Sequence, residues 1–391
     1  MTEKIKDGLY YVGARDPQRR LFDELIPLPD GTTYNSYLIQ GKDKTALIDT
    51  VDPAKREVLE HNLESLGVEK IDYIISNHAE QDHSGSIPYV LKRFPQAKVV
   101  TNKKCKGMLE DLLHLKEEDF LTISDEEVLP LGQRNLQFFL APWVHWPETM
   151  FTYLKEDRIL FPCDFLGAHY SSQKLYVHDK HSVYMSAKRY YGQIMMPFAN
   201  MAKKHLERIE KLDLDLIAPS HGQIYRDYDF ILDAYRDWTS DKVKNEVMLV
   251  YVSMHGSTKA MADYFAEKLK AKGIGVKVFN LTEADLGELA MAMVDAATVV
   301  LATPTVLAGP HPAAVYAAYL LKALRPKTRF VSLIGSYGWG GRTVEVIGEL
   351  LSSIKAEVIE PVMVKGFALD KDLQRLEALS EEIYRRHLEL G

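Results

Sequence analysis

The chain has 391 residues, 46% hydrophobic and 26% charged, with a formal net charge of −7. That length fits two domains, each with its own core, and the acidic balance, with no basic stripe, excludes nucleic acid as the main partner. Only two cysteines are present, Cys105 and Cys163, which excludes a disulfide framework and a CxxC zinc or iron–sulfur site; any metal must be held by imidazoles and carboxylates.

No apolar run approaches the roughly 20 residues of a membrane helix, so no membrane partner is expected. The opening "MTEKIKDGLY" lacks the build of a signal peptide, and a cytosolic location with reduced thiols follows as the expectation.

The first 240 residues read as short strands with a few helices. "TYNSYLI" (33–39) and "TALIDT" (45–50) pair across a turn. "REVLEHNLESLG" (56–67) is a helix ending at glycine. "IDYIIS" (71–76) is a buried strand, "SIPYVLKRF" (86–94) a helix and "AKVVTN" (97–102) a strand. "LQFFLAP", "FTYLKED" and "RILFPCD" continue the strands. One helical stretch over 186–212 precedes the strand in "DLIAPSHG" (215–222). This pattern predicts two sheets covered by helices. The charged, apolar-poor "SDKVKNE" (240–246) marks the boundary, giving domains 1–244 and 245–391. Beyond it five strands ("VMLVYVS", "GVKVFN", "TVVLAT", "RFVSLIG", "AEVIEP") alternate with five helices. That is an α/β doubly wound parallel sheet, whose ligands bind at the carboxyl ends of its strands.

In this second domain the first strand ends in "SMHGST", Ser253, Met254, His255, Gly256, Ser257 and Thr258. Hydroxyls, a permissive glycine and a following helix N-terminus suit a phosphate. With Lys259 the only nearby cation and no Walker motif, a monophosphate fits better than a triphosphate. Pro304, Thr305 and Val306 end the third strand; Ser336, Tyr337, Gly338, Trp339 and Gly340 end the fourth. Tyr337 and Trp339 offer flat rings to a flat cofactor. The bland alternative for "SMHGST" is an ordinary capped turn. The three loops together resemble the flavodoxin family, which implies FMN, with its phosphate on 253–258 and its isoalloxazine between the other two loops. Leu307 and Ala308 depart from the asparagine common in that region, so contacts there are expected from backbone.

In the first domain, "SNHAEQDHSG" (76–85) follows a strand and offers His78, Glu80, Asp82 and His83. Three later strand ends carry His145, Asp164 and His221. A lone buried histidine is ordinarily a satisfied core residue. Four strand ends that each deliver His, Glu or Asp point to metal instead. The set resembles the metallo-β-lactamase fold family, which implies an αββα sandwich, but Glu80 replaces the second histidine of the HxHxDH hallmark. Three carboxylates and a bridging hydroxide would balance two divalent cations, and harder oxygen ligands favour iron or manganese over zinc. Ser84 is expected to cap the next helix.

HxExDH, the later His, Asp and His, and a flavodoxin-like second domain resemble the flavodiiron proteins (A-type flavoproteins) over essentially the whole chain. The resemblance implies that His78, Glu80 and His145 hold one non-haem iron, that Asp82, His83 and His221 hold the other, and that Asp164 bridges them. It further implies reduction of dioxygen or nitric oxide, electrons from rubredoxin or a reduced deazaflavin coenzyme, and a head-to-tail homodimer or dimer of dimers. With no CxxC-bearing extension the chain resembles the family's minimal form. Asp23 or Glu24 stands where some members carry proton-donating groups. The rival readings are a zinc hydrolase with a flavodoxin-like accessory domain and an electron carrier with a docking scaffold. Among the other histidines, His169 is a candidate beside the pocket and His178 and His181 lie on a solvated loop. His61, His114, His205 and His387 are read as surface residues, and Trp146 as packing around the site.

Overall fold

The computed structural model describes residues 2–390. The chain forms two compact units. The first holds the residues up to Tyr190 together with Phe198–Thr239; the second holds Tyr191–Pro197 and the residues from Ser240 onward. The division differs from a single cut at 244/245 in two ways. Tyr191–Pro197 belongs with the second unit, where Gly192 backs so closely on the Ala290 carbonyl that a Cβ would lie 2.9 Å from its oxygen. Lys244 already begins a strand of that unit and binds Asp295 Oδ2 at 2.8 Å.

The first unit is a sandwich. One sheet has seven strands in the order Glu3–Lys6, Leu9–Tyr11, Tyr37–Gln40, Thr45–Ile48, Tyr73–Ile75, Lys98–Asn102 and Phe120–Ile123. The last four are mutually parallel. The other sheet runs Val128–Pro130, Asn135–Leu140, Met150–Leu154, Ile159–Phe161 and Leu216–Ile217, antiparallel until its last, parallel pair.

The pleat sorts the side chains. Tyr37, Ile39, Ala46, Ile48, Ile75 and Val100 point between the sheets, onto Leu136, Phe138, Met150 and Leu154. Their neighbours Leu38, Leu47, Ile74 and Val99 point outward, onto Leu59, Leu63, Ile87 and Val90 of the covering helices. Both faces are covered, so these strands read as unbroken apolar runs rather than alternating ones. Burying each larger side chain is worth about 1.5–3 kcal/mol. Behind the second sheet, Phe151 packs on His205 of helix Ala199–Ile209 and on Phe165, which meets Tyr235 of helix Asp229–Trp238. The layers are therefore helix, sheet, sheet, helix.

The second unit is a parallel sheet in the order Gly275–Asn280, Lys244–Tyr251, Ala296–Val306 and Phe330–Tyr337, with a divided fifth position. In sequence terms this is 2-1-3-4-5, the flavodoxin order, whose ligand crevice lies between the first and third strands. Helix Ser257–Ala271 buries Met261, Ala262, Phe265 and Leu269 at helical spacing against Val247 and Leu249.

Several local expectations are corrected. The single helix over 186–212 is two, Lys180–Tyr190 and Ala199–Ile209, separated by π and 3₁₀ turns over the residues that join the second unit. The fifth strand is not 356–361. Glu357–Val358 pairs first, then Val362–Lys365 takes over along strand Phe330–Tyr337, because Pro361 has no N–H to donate. Ser84 does not cap a helix; its hydroxyl donates to Ala79 O at 2.6 Å, and the cap position belongs to Ser86. His205 and His387 are buried, not surface residues. Among the described residues no helix is long and apolar enough to cross a membrane.

Candidate metal centre and flavin loops

The candidate ligands follow strand ends, most on loops, with Asp82 and His83 on the one-turn helix Gln81–Ser84, and hydrogen bonds pin these segments together. Asp49, after strand Thr45–Ile48, is the hub. Its buried carboxylate accepts from Asn77 N at 2.8 Å, Asn77 Nδ2 at 2.9 Å and Ser220 Oγ at 3.3 Å, tying the His78 loop to the His221 loop. Thr50 N donates to His83 O at 2.8 Å. Asp49, Trp143, Cys163 and Leu166 all take left-handed φ values of 50°, 69°, 51° and 67°. Such conformations cost on the order of 1–3 kcal/mol each and persist only where the surroundings over-determine them.

These loops bring all seven predicted ligands together in two groups, His78, Glu80, His145 and Asp164, and Asp82, His83 and His221. Asp164 faces both. Its Oδ2 lies 3.3 Å from His145 Nε2 and 3.6 Å from His78 Nε2; its Oδ1 lies 3.0 Å from His83 Nε2 and 3.4 Å from His221 Nε2. Glu80 Oε2 completes the first group, 3.1 Å from His78 Nε2 and 3.2 Å from His145 Nε2. Asp82 completes the second, with Oδ2 3.1 Å from His221 Nε2 and Oδ1 3.3 Å from His83 Nε2. Every imidazole turns Nε2 inward. Donors about 2.1 Å from one cation and at right angles to each other sit about 3 Å apart, which is this spacing.

The atoms fit cations better than one another. Both oxygens of Asp82, Oδ1 of Asp164 and both ring nitrogens of His83 are buried without a hydrogen-bond partner. Orphaned polar groups of this kind are costly unless something satisfies them. In the metal-free chain, burial opposes a charge on His78, His83 and His145, but the carboxylates outweigh it and raise all three, His83 to about 10. Burial likewise pushes Glu80 and Asp164 up, and the facing imidazoles more than reverse it. A cation would take the place of those shared protons. Cys163 adjoins Asp164 and His83, yet burial and then the charges of Asp164 and Asp49 hold its thiol far above the thiolate range.

Around the cluster, His169 is buried, with Nδ1 2.8 Å from Thr32 Oγ1 and its ring 4.6 Å from His221 and 4.9 Å from Tyr190. Burial, then the charge of His221, keeps it neutral. Trp146 packs edge-on at 4.9 Å from His78. Asp23 is exposed, yet partial loss of hydration, then the charges of Glu80 and Asp82, raise it to about 6. Glu24, His178 and His181 are exposed.

Besides the hub Asp49, a residue in contact with a candidate ligand escaped the sequence reading. Glu148, three positions after His145, is buried with Oε1 2.6 Å from His78 Nδ1. The only signal was an acid inside a ligand-bearing loop, "HWPETM", and spacing alone could not show which way it points.

In the second unit the predicted loops gather hydroxyls. Ser336 Oγ lies 3.1 Å from Ser257 Oγ and 3.0 Å from Thr258 Oγ1, and Ser253 Oγ accepts from Gly256 N at 3.1 Å. Gly256 takes φ +88° with open space around it, presenting the N–H groups that open helix Ser257–Ala271. Thr305 and Val306 pair with Pro310 and Gly309, leaving Leu307 and Ala308 as a two-residue turn with φ 51° and 62°. Met254, His255, Gly338, Trp339 and Gly340 are exposed; Pro304 is buried and Tyr337 half-buried. Clustered hydroxyl and amide donors beside an exposed indole and glycines match the chemistry of FMN.

A family model for ODP family beta lactamases matches residues 32–222, and one for flavodoxin matches residues 249–382. Relatives span nearly all of the chain. A nitric oxide reductase of Moorella thermoacetica is 35% identical, over 98% of both chains. A coenzyme F420H(2) oxidase of Methanothermobacter marburgensis is 35% identical, over 91% of both. A flavo-diiron protein of Clostridium acetobutylicum is 32% identical, over 91% of this chain and 92% of its own. The solved rubredoxin oxygen:oxidoreductase of Desulfovibrio gigas superposes with a TM-score of 0.96 at 28% identity, covering 100% of this chain and 99% of that one. With these relatives, the two-unit fold and the carboxylate–imidazole cluster, the chain belongs to the flavodiiron protein family.

Proposed function

We propose that His78, Glu80 and His145 hold one non-haem iron and Asp82, His83 and His221 a second, with Asp164 bridging the pair. FMN lies on Ser253–Thr258, Pro304–Val306 and Ser336–Gly340. The protein is an oxidoreductase that reduces dioxygen to water, nitric oxide to nitrous oxide, or both. The observation that carries the two-iron reading is Asp164, whose two oxygens each face a different imidazole group.

When bound, two irons and a flavin supply up to four electrons, the number needed to take dioxygen to water without releasing radicals. The chain's own residues set the conditions. Glu80, Asp82 and Asp164 give each group oxygen as well as nitrogen donors, which moves preference from zinc toward iron and away from the hydrolase reading. The Asp49 hydrogen bonds hold the loops before any metal arrives. His169, kept neutral by burial, and Trp146 wall the cluster from bulk water.

The catalytic domain is the first unit, up to Thr239, and the flavin domain is the second, from Ser240 onward with Tyr191–Pro197. Electrons come from a rubredoxin or a reduced deazaflavin coenzyme, the donors whose names two of the relatives carry. The working form is a head-to-tail homodimer, or a dimer of such dimers, in the cytoplasm. Metal analysis with a visible spectrum tests the cofactors: two irons and one FMN per chain are expected, and zinc without flavin would sink the reading. Stopped-flow reoxidation of the reduced protein by each gas then assigns the substrate. A fully active monomer would overturn the dimer.

A further inference from the structure

Three of the four candidate histidines are backed differently. His221 Nδ1 lies 2.5 Å from the Thr33 carbonyl oxygen, a neutral acceptor. His83 Nδ1 has no partner. His78 Nδ1 instead donates to a carboxylate, Glu148 Oε1, at 2.6 Å. Glu148 is 2% exposed, its Oε1 also accepts from Ala79 N at 3.0 Å, and its Oε2 has no partner. Its peptide is fixed as well, because Asn102 Nδ2 donates to Glu148 O at 2.6 Å while Asn102 Oδ1 caps helix Lys103–Leu113. A buried carboxylate with one empty oxygen and no Lys or Arg bonded to it is expensive unless its charge is used. The group in contact with it that can use that charge is the His78 imidazole, whose other nitrogen faces Glu80 and Asp164.

We propose that Glu148 is a positioning residue for one metal site only. It fixes the His78 tautomer with the proton on Nδ1 and makes Nε2 a stronger donor, so that the iron on His78, Glu80 and His145 is held more tightly, and at a lower reduction potential, than the iron on Asp82, His83 and His221. The inference rests on the two-iron reading and adds an inequivalence between the irons. The physical basis is general: a carboxylate on the far nitrogen of a ligating imidazole raises its basicity, and outer partners of this kind are worth about 10–100-fold in metal affinity.

The test is anaerobic. Wild type, Glu148→Gln and Glu148→Leu are loaded with ferrous iron, counted for iron per chain, and mixed with a ferrous chelator while release is followed. The midpoint potentials of the irons are measured alongside, and the metal-free proteins are melted to check the fold. Glu148→Gln keeps the size and an acceptor oxygen but removes the charge. It is expected to release one of its two irons about 10–100-fold faster, to leave the other at the wild-type rate, and to raise one potential; Glu148→Leu is expected to do so more strongly. Wild-type release rates and potentials in both variants would overturn the proposal. So would equal acceleration of both irons, or a lowered metal-free melting temperature with unchanged release, which would make Glu148 only a loop anchor. A wild type that binds no iron would instead break the two-iron reading.

Discussion

The two candidate sites sit at strand ends of the same kind and are made of opposite materials. The metal cluster is built from charged side chains, none more than 13% exposed, that face one another across gaps of about 3 Å. The flavin loops are built from hydroxyls, glycines and backbone, with Trp339 68% and Leu307 88% exposed. The first site is electrostatically incomplete without a cation, since its groups must share protons in its place. The second needs no charge of its own, and a flat ligand covers what it exposes. Metal, pH and single substitutions should therefore act strongly on the first and gently on the second.

The largest effect is expected at Asp164, the one side chain that faces both groups. Asp164→Ala removes a donor from each cation, so the loss should exceed the roughly 10–100-fold cost of an outer-shell change. Fewer than one iron per chain by metal analysis, with activity at background, is expected. Two retained irons would show that Asp164 is not the bridge.

The metal-free protein should then show the cluster's protons. His83 is raised to about 10, and His78 and His145 are raised as well. The stability they contribute is complete below the unfolded imidazole value of about 6.5 and is lost as pH climbs through the folded values. Glu80 and Asp164 are lowered, so their contribution is complete above about 4.5 and is lost as pH falls. The part of metal-free stability that these five groups supply should be greatest between about pH 4.5 and 6.5. With iron bound the alkaline loss should vanish, because protons no longer hold the site together. An alkaline melting limb unchanged by iron would show that these imidazoles do not meet the metal.

A smaller effect is expected in the flavin loops. Ser336 Oγ touches both Ser257 and Thr258, so Ser336→Ala removes one hydroxyl and the alignment of two more. Hydrogen bonds to a charged group are worth about 1.5–3 kcal/mol, and FMN should bind at least roughly tenfold more weakly, read by flavin fluorescence titration. Iron content should not change.

How much of this was legible follows from the same contrast. The seven residues that gather in the cluster could be picked out because each lies on a segment that follows an apolar strand. The three candidate flavin loops could be picked out by position, since strand order fixes where a doubly wound sheet binds ligands. What escaped depends on orientation or on the rest of the fold. Glu148 looks like any loop acid until its oxygen is seen on His78. His205 and His387 lie in charged helical stretches, yet face inward at a spacing that mean polarity hides. The break in the helix over Tyr191–Pro197 opens at Gly192, a helix-weakening residue the sequence reading did not use, and the segment joins the second unit. Pro361 could have been used to shift the fifth strand, since proline's missing N–H is a local fact.

His387 gives the gentlest test of the contrast, because it is a buried histidine with neutral partners. Its Nδ1–H donates to Asn245 Oδ1 at 2.8 Å, and its Nε2 lies 2.7 Å from Thr298 Oγ1. Among the described residues no carboxylate is bonded to it, and burial lowers its pKa. Its sign is therefore opposite to that of His83. The folded chain binds fewer protons than the unfolded chain, so the second unit should lose stability as pH falls below about 6.5, where the unfolded imidazole charges. His387→Gln keeps polar contacts but cannot charge. It should cost about 1 kcal/mol at neutral pH, one imperfectly replaced hydrogen bond, and should flatten the acid limb of the melting curve followed by FMN release. The cluster in the first unit should be indifferent to the change. If the acid limb of FMN release survives in His387→Gln, another group in the second unit titrates there, and the opposition between a charge-built half and a neutral one is weaker than these two histidines imply.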